Sequence, residues 1–292
     1  MNATLLADTR NTLGESCFWD PRDNCLWWTD IHNCQVFRLD MENRVTHFDL
    51  PDRACFIRPR KQAGFVIGFP KRVVISNQDL TSFATLQEVE PSLSETRIND
   101  ATVDPFGGVV FGTFHEPADR ANRQPLAGLY RLKPDGTLVQ LLNKIVVSNG
   151  LDFSPDGRIM YFTDTHDGVI RRFSIEGDFD QFTEISPLAG SDIAPGAPDG
   201  GYVDEKGSYW SARVWAGCIV RITKDGKIDA KINLPTRGPT CLTIGGASNR
   251  QIFITSLRMR LTDEELTDYP HAGGIFTADS DIGASKPRLA AL

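Results

Sequence analysis

The sequence predicts an all-β protein, a six-bladed β-propeller with four-stranded antiparallel blades that spans residues 1–292 as one domain. One observation is a repeat of roughly 40–50 residues, which is the period of a propeller blade. Another is that each unit contains two halves rich in β-branched and aromatic residues, separated by Gly, Pro, Asp or Asn. A β-sandwich also has many short strands, but it would not explain the six-fold pattern.

Each unit begins with a half that reads as a strand, a turn and a second strand, at 18–30, 56–69, 102–114, 152–164, 202–214 and 242–256. A second half follows, at 35–50, 72–89, 128–142, 169–185, 218–234 and 274–291. Two halves supply the four strands of a blade. The short apolar stretch Ala3–Ala7 is predicted to add an outer strand to the last blade. The one predicted helix is Thr262–Asp268, where Thr262 and Glu265 can form a capping box.

The composition limits the classes of function. A net charge of −7 argues against a nucleic-acid groove, which requires a basic face. No apolar run is long enough to span a bilayer, and the N-terminus lacks a basic region followed by a long apolar stretch, so a cytoplasmic location is expected. The six cysteines include no CxxC pair and are expected to be reduced and buried. A closed propeller has few free strand edges, so a monomer is expected.

Four units carry an oxygen-bearing side chain at one register, five residues before the turn. These residues are Glu15, Asn99, Asn149 and Asp199. Equivalent positions in a rotational repeat face the common axis, so the sequence predicts a ring of carboxylates and amides around a central channel. Among these side chains, Glu15, Asn149 and Asp199 are the candidate metal ligands, because oxygen donors suit Ca²⁺, Mg²⁺ or Mn²⁺. Asn99 could be a fourth ligand or a substrate contact. The alternative is that these residues only cap exposed backbone at strand starts.

The predicted topology places two long insertions, 115–127 and 257–273, on the same face as this ring. Insertions on one face commonly build a binding site or a lid, although tolerated surface loops are the alternative. Arg97 lies near the channel rim, where it would neutralise the acidic ring or hold substrate oxygens. Glu116 begins the first insertion and could overhang the site. A structural ion pair for Arg97 and a solvated carboxylate for Glu116 remain open.

Several separated motifs occur in order along the chain: LGE (13–15), RxND (97–100), NGLDFSPDG (149–157), YFTDT (161–165), PDG (198–200) and AGGIF (272–276). Together they resemble the regucalcin/gluconolactonase family, whose members are six-bladed propellers with one divalent cation in the channel. The resemblance implies that Glu15, Asn149 and Asp199 bind the metal and that Asp199 is also the general base. It further implies substrate contacts for Arg97, Asn99 and Glu116. Ca²⁺, Zn²⁺, Mn²⁺, Mg²⁺ and Fe²⁺ all stay open as the metal.

The expected function is hydrolysis of a small-molecule sugar lactone, with arabinono-, xylono- and gluconolactone as the leading candidates. Two alternatives stay open. An organophosphate or aryl-ester hydrolase on a similar propeller would need a more apolar pocket. A propeller that binds calcium or a protein partner without catalysis would share the fold alone. No GxSxG motif occurs, which argues against an α/β-type serine hydrolase.

Overall fold

The computed structural model describes residues 1–292 and contains six four-stranded antiparallel sheets, here called blades one to six. Blade one contains β2 Gly14–Asp20, β3 Cys25–Asp30, β4 Gln35–Leu39 and β5 Val45–Asp49. Blade two contains β6 Phe56–Pro59, β7 Phe65–Phe69, β8 Arg72–Ser76 and β9 Phe83–Glu88. Blade three contains β10 Thr96–Val103, β11 Val109–His115, β12 Ala127–Leu132 and β13 Leu138–Ile145. Blade four contains β14 Ser148–Phe153, β15 Ile159–Asp164, β16 Ile170–Glu176 and β17 Gln181–Ala189. Blade five contains β18 Ala197–Val203, β19 Tyr209–Val214, β20 Cys218–Ile222 and β21 Ile228–Asn233. Blade six contains β22 Pro239–Gly245, β23 Gln251–Ser256, β24 Ile275–Asp279 and the N-terminal β1 Thr4–Ala7.

The blades form a closed ring around a central channel. The innermost strand of each blade, in the order β2, β6, β10, β14, β18 and β22, contacts the innermost strand of the next, and β22 returns to β2. Apolar side chains fill the spaces between neighbouring sheets, as shown by one buried group in which Phe56 of blade two packs with Phe111 of blade three. The predicted all-β six-bladed propeller is confirmed.

The ring is closed by the N-terminus. Strand β1 pairs antiparallel with β24, with Thr4 opposite Thr277 and Leu5 opposite Phe276, so the predicted outer strand of the last blade is confirmed. The second half of the sixth unit differs from the prediction, because it supplies only β24. Residues 280–292 instead cross the opposite face of the ring and form isolated bridges to blades two and five.

Deleting residues 1–8 is expected to lower the melting temperature by roughly 5–10 °C, because blade six loses its outer strand and the ring loses its closure. The deletion also removes the hydrogen bond from the Met1 amino group to the Lys231 carbonyl, 2.9 Å. Differential scanning calorimetry of the full and shortened chains measures the effect. An unchanged melting temperature would contradict a closing role for β1.

Aspartates in the turns explain part of the repeat. The Asp104 carboxylate accepts hydrogen bonds from the backbone of Phe106 and Gly108, at 2.8 and 2.9 Å, and pairs with Arg131 at 2.6 Å. Asp204 in blade five likewise accepts from two turn amides and pairs with Arg221 at 2.8 Å. Each carboxylate therefore fixes the turn after an innermost strand and ties it to the third strand of the same blade.

The predicted helix is confirmed, and burial is confirmed for every cysteine except the half-buried Cys34. Helix α1, Asp263–Asp268, begins after Thr262 and has the predicted capping box with Glu265. All six cysteines are free thiols, and five of them are buried. The structure contains no helix that is both long and apolar enough to cross a membrane.

Candidate active site

A β-bulge lies near the start of the innermost strand in five blades. The register shifts fall between Glu15 and Phe18, Ile98 and Ala101, Asn149 and Asp152, Pro198 and Gly201, and Pro239 and Leu242. Glu15 and Asn149 are the last paired residues before their bulges, whereas Asn99 and Asp199 are the first residues inside theirs. The four positions therefore share a register to within one residue. Bulges re-aim side chains and are common beside active sites.

Two bulges depend on backbone that only some residues adopt readily. Ser16 and Gly150, which follow Glu15 and Asn149, have φ values of 54° and 65°. A Cβ on Gly150 would lie 2.4 Å from the Tyr209 hydroxyl, which donates a hydrogen bond to the Gly150 carbonyl at 2.9 Å. Glycine at position 150 thus permits both the left-handed backbone and the close approach of blade five.

All six residues that the sequence singles out line one cavity of about 320 Å³ at one mouth of the channel, here called the large cavity: Glu15, Arg97, Asn99, Glu116, Asn149 and Asp199. Both long insertions also reach this cavity, the first through Glu116 and the second through Met259 and Arg260. The insertions therefore lie on the face predicted for them. The volume lies at the lower end of the range typical of small-ligand sites.

Two acidic side chains, Glu15 and Asp199, are close enough in the large cavity to perturb each other. Burial raises the pKa of Glu15 well above its usual value, and repulsion from Asp199 and then Asp100 raises it further. Burial, followed by repulsion from Asp100, raises the pKa of Asp199 to about 8, although Arg260 and Arg97 oppose the shift. The two carboxyls thus share a site where the protein supplies too little positive charge to keep both ionised.

A chain of hydrogen bonds links the wall of the large cavity across blades three to five. Arg97 donates to the Asn99 side-chain oxygen at 2.7 Å, and Asn99 donates to the Asn149 oxygen at 2.9 Å. Asn149 then donates to the Thr165 hydroxyl, and Thr165 donates to the Pro198 carbonyl, both at 2.8 Å. Because the Asn149 amide nitrogen faces Thr165, its oxygen is fixed on the other side, toward Asn99.

Arg97 and Glu116 form an ion pair at the edge of this chain. Glu116 accepts from Arg97 and from Arg53, both at 2.9 Å. Burial alone would raise the pKa of Glu116, but the two guanidinium groups outweigh it and hold that pKa at about 2. Arg97 is 4 % exposed and also contacts the Phe114 ring, 4.8 Å from its centroid. The Arg97 guanidinium donates hydrogen bonds to both Asn99 and Glu116 and so positions these two side chains.

The residues around Glu15 fit a divalent cation. The protein has no cluster of three or more His, Cys, Asp or Glu side chains placed to hold a metal. The candidate set is therefore mixed: the carboxylates of Glu15 and Asp199 and the amide oxygen of Asn149. Three oxygen donors suit a hard cation and leave positions open. The raised pKa values of both carboxyls are those expected of an acidic pair whose charge a bound cation would neutralise.

A second cavity, of about 110 Å³, lies on the other side of the bulges and is covered by residues 284–288. Its acidic residues, Asp100 and Asp152, are already hydrogen-bonded to backbone amides, including Leu151 at 3.0 Å and Val203 at 2.6 Å. These carboxylates therefore stabilise the junctions between blades. The large cavity is the better candidate for a functional site.

The structure adds residues that the sequence reasoning did not select. Thr165 joins Asn149 to blade five, and the YFTDT motif that ends in it was the available signal. Among the histidines, His32 and His166 line the large cavity, whereas His115 is buried and accepts from the Gln124 amide at 2.8 Å. His271 lies near Asp8, at 3.7 Å. The cavity also contains Arg120, Arg123 and Arg260, which no local pattern had marked.

Residues 13–258 match the family model described as the SMP-30/gluconolactonase/LRE-like region. The chain belongs to the SMP-30/gluconolactonase/LRE-like family. This match confirms the resemblance inferred from the separated motifs.

Two curated relatives of this family illustrate its chemistry. An L-arabinolactonase of Azospirillum brasilense is 36% identical over 296 aligned residues, covering 99% of this chain and 95% of the relative. A 6-deoxy-6-sulfogluconolactonase of Pseudomonas putida is 32% identical, covering 99% of this chain and 100% of the relative. Both relatives are named lactonases, which confirms the prediction of a lactonase-type hydrolase.

Among solved structures, a calcium-binding protein, regucalcin, from Agrobacterium tumefaciens aligns with a TM-score of 0.92. The alignment covers 100% of this chain and 98% of that one at 24% sequence identity. This likeness shows that the chain has the same fold as that regucalcin.

Proposed function

We propose that this protein is a metal-dependent lactonase that opens a pentono- or hexonolactone ring to the aldonic acid. The observation that carries the proposal is the large cavity, where Glu15, Asp199 and the Asn149 oxygen lie beside a polar wall of Arg97, Asn99 and Glu116. The lactonase names of the curated relatives support the same substrate class. A polar wall of this kind suits a hydroxyl-rich ring better than an aryl ester or a phosphotriester.

Ring opening requires water to add to the lactone carbonyl carbon, after which the ring C–O bond breaks and the ring oxygen takes up a proton. Asp199 is the group that would accept the proton of the attacking water, because its carboxylate lines the large cavity beside the other two proposed ligands. A divalent cation, when bound by Glu15, Asn149 and Asp199, supplies Lewis-acid polarisation of a carbonyl. In the metal-bound state the cation's charge would favour the ionised form of Asp199.

The wall residues would hold the sugar in place. Asn99 and Asn149 are locked by hydrogen bonds at 2.7–2.9 Å, so their positions do not have to be fixed when a substrate binds. Glu116, held at its two oxygens by Arg97 and Arg53, keeps a charged acceptor at the cavity wall. Such pre-organised groups lower the entropic cost of orienting the ring.

The direct test is hydrolysis of a panel of aldonolactones, followed by acid release, on metal-stripped protein with each divalent cation added back. Lactones also open without a catalyst, so the rate without enzyme must be subtracted. We expect acceleration that depends on the metal and differs among pentono- and hexonolactones. No acceleration with any lactone and any cation would reject the proposed function.

Glu15→Gln is expected to weaken metal binding by a factor on the order of 10², because the substitution keeps the size of the side chain and removes one ligand charge. Isothermal titration calorimetry with Ca²⁺ and Mn²⁺ measures the change. Glu264→Gln, an exposed position on α1, is the matched control and should bind metal normally. An unchanged affinity in Glu15→Gln would remove this residue from the ligand set.

The metal-free protein is expected to lose stability as the pH rises from about 4 to about 8. The folded-state pKa of Asp199, about 8, lies above the unfolded value near 4. Asp199 therefore contributes its full stabilisation below about pH 4, and this stabilisation is lost as the pH rises through about 8. Metal binding at pH 7 should release protons and remove this slope. Thermal unfolding between pH 5 and 8.5, with and without Ca²⁺, measures both effects, and parallel curves would contradict the expectation.

A further inference from the structure

We propose that three arginines at the mouth of the large cavity, Arg120, Arg123 and Arg260, bind an oxyanion carried by the substrate at the end farthest from the lactone carbonyl. We call these residues the arginine rim. The oxyanion would be a sulfonate, a phosphate or a carboxylate, since all three are ligands that guanidinium groups recognise. The inference rests on the proposed function for the lactone part of the substrate and adds a second recognition element.

The rim arginines lack a carboxylate partner, unlike three other arginines on the same face. Arg53 and Arg97 both pair with Glu116 at 2.9 Å, and Arg237 pairs with Glu265. The rim arginines make no salt bridge to an aspartate or glutamate of the protein. The Nε atom of Arg123 is moreover buried without a hydrogen-bond partner in the protein. A buried donor in this state is costly unless a ligand satisfies it.

The rim is built from both long insertions, and each insertion is held by backbone contacts. In the first insertion, a short 3₁₀ helix spans Arg120–Asn122, and the Arg123 amide donates to the Arg120 carbonyl at 3.2 Å. The Arg123 guanidinium lies 4.5 Å from the centroid of the Phe114 ring. Stacking on an aromatic ring restricts a guanidinium and so pre-organises it for a planar or tetrahedral anion.

The second insertion brings Arg260 to the same cavity. The amides of Arg258 and Met259 both donate to the Thr12 carbonyl, at 3.2 and 3.0 Å. Arg260 itself has a left-handed backbone, with φ of 69°, so the chain turns sharply at this residue. Arg260 is exposed and lines the same cavity as Asp199, and its charge lowers the pKa of that carboxyl.

The charges of the rim repel one another. Partial desolvation in the cavity and then repulsion from Arg120 lower the pKa of both Arg123 and Arg260 to about 10, so charging all three arginines has a cost. Glu116 offsets only part of this cost, because its two oxygens are hydrogen-bonded to Arg97 and Arg53 and it makes no ion pair with the rim. An anionic group on the substrate would relieve it. The cavity thus separates a cation-binding floor from an anion-binding mouth, which fits a sugar acid derivative with its lactone at one end.

Binding of stable sugar acids tests the rim without relying on turnover. Calorimetry would compare gluconate with 6-phosphogluconate, glucarate and 6-deoxy-6-sulfogluconate on the metal-loaded protein. We expect at least one of the three to bind at least about tenfold more tightly than gluconate, since a charge-assisted hydrogen bond contributes on that order. The preferred probe identifies the anion as phosphate, carboxylate or sulfonate. Equal affinities for all four would overturn the inference.

Two variants assign the effect to the rim. Arg123→Gln and Arg260→Gln should each reduce the preference for the anionic probe by about tenfold, and added salt should reduce it in the native protein. Arg260 is exposed, so its variant is not expected to disturb packing. Arg250→Gln, an exposed position in the β22–β23 turn on the opposite face, makes the same charge change and should keep the full preference. A preference that survives in both rim variants would also overturn the inference.

Kinetics separates this inference from the proposed function. The ratio of kcat/KM for the anionic lactone to that for gluconolactone should fall in the rim variants, mainly through KM. If gluconolactone is hydrolysed and the anionic probes bind no better than gluconate, the rim assignment is wrong and the proposed function stands. If no lactone is hydrolysed but an anionic probe still binds preferentially through the rim, the proposed function is wrong and the anion site stands.

Discussion

Asp199→Asn is expected to lower kcat by at least roughly 10³-fold while leaving the fold intact, because the variant keeps the shape of the side chain and cannot accept a proton. Asp199 lies in the bulge of β18 beside Gly200, in the large cavity with Glu15. Burial and nearby charges raise its pKa to about 8. Hydrolysis of the preferred lactone at saturating metal and substrate measures the effect.

Saturating metal matters because Asp199 is proposed both as a ligand and as a base. Calorimetry on Asp199→Asn gives the metal affinity, and the rate at saturation then isolates the loss of the base. Circular dichroism and the melting temperature verify the fold. Asp192→Asn, in the exposed loop before β18, is the matched control and should retain full activity. Near-normal turnover of Asp199→Asn at saturating metal would reject the base assignment.

Asp104→Ala is expected to lower the free energy of unfolding by about 3–5 kcal/mol, because it leaves the buried Arg131 guanidinium with only the exposed Asp178 as an acidic partner. Asp104 and Arg131 are 1 % and 0 % exposed, respectively, and their side chains meet at 2.6 Å. The substitution also removes the acceptor for the Phe106 and Gly108 amides. Urea unfolding of the native chain and the variant measures the difference.

Asp135→Ala is the control for the turn contribution alone. Asp135 lies in an exposed turn of the same blade and accepts from the Thr137 amide at 2.9 Å, so its loss should cost much less than the loss of Asp104. A double-mutant cycle that combines Asp104→Ala with Arg131→Met reports the coupling of the pair. A cost for Asp104→Ala as small as that of the control would show that the buried pair contributes little.

Much of the site was predictable because its residues recur at one spacing. Glu15, Asn99, Asn149 and Asp199 each precede a turn by five residues, and a propeller brings equivalent positions to one axis. The spacing could not reveal that two of these residues lie before a bulge and two within it. A bulge depends on pairing with the neighbouring strand, which leaves little trace in the strand's own sequence.

The wall and mouth of the cavity were less predictable. Thr165 connects blades four and five through contacts to Asn149 and the Pro198 carbonyl, residues far from it along the chain. Arg123 and Arg260 come from insertions separated by more than a hundred positions in the numbering. No periodicity relates irregular loops to each other, so only their folded positions show that both arginines overhang one cavity.

The sequence by itself determined the features that depend on short-range chemistry. Alternating strands, the turn aspartates and the capping box of α1 each follow from residues within about ten positions of one another. Six copies of such a unit then require a ring. The tertiary structure alone decided how the ring closes through β1, where residues 280–292 run, and which charges remain unpaired above the channel. These features depend on contacts between distant segments, whose relative positions are set only when the whole ring has formed.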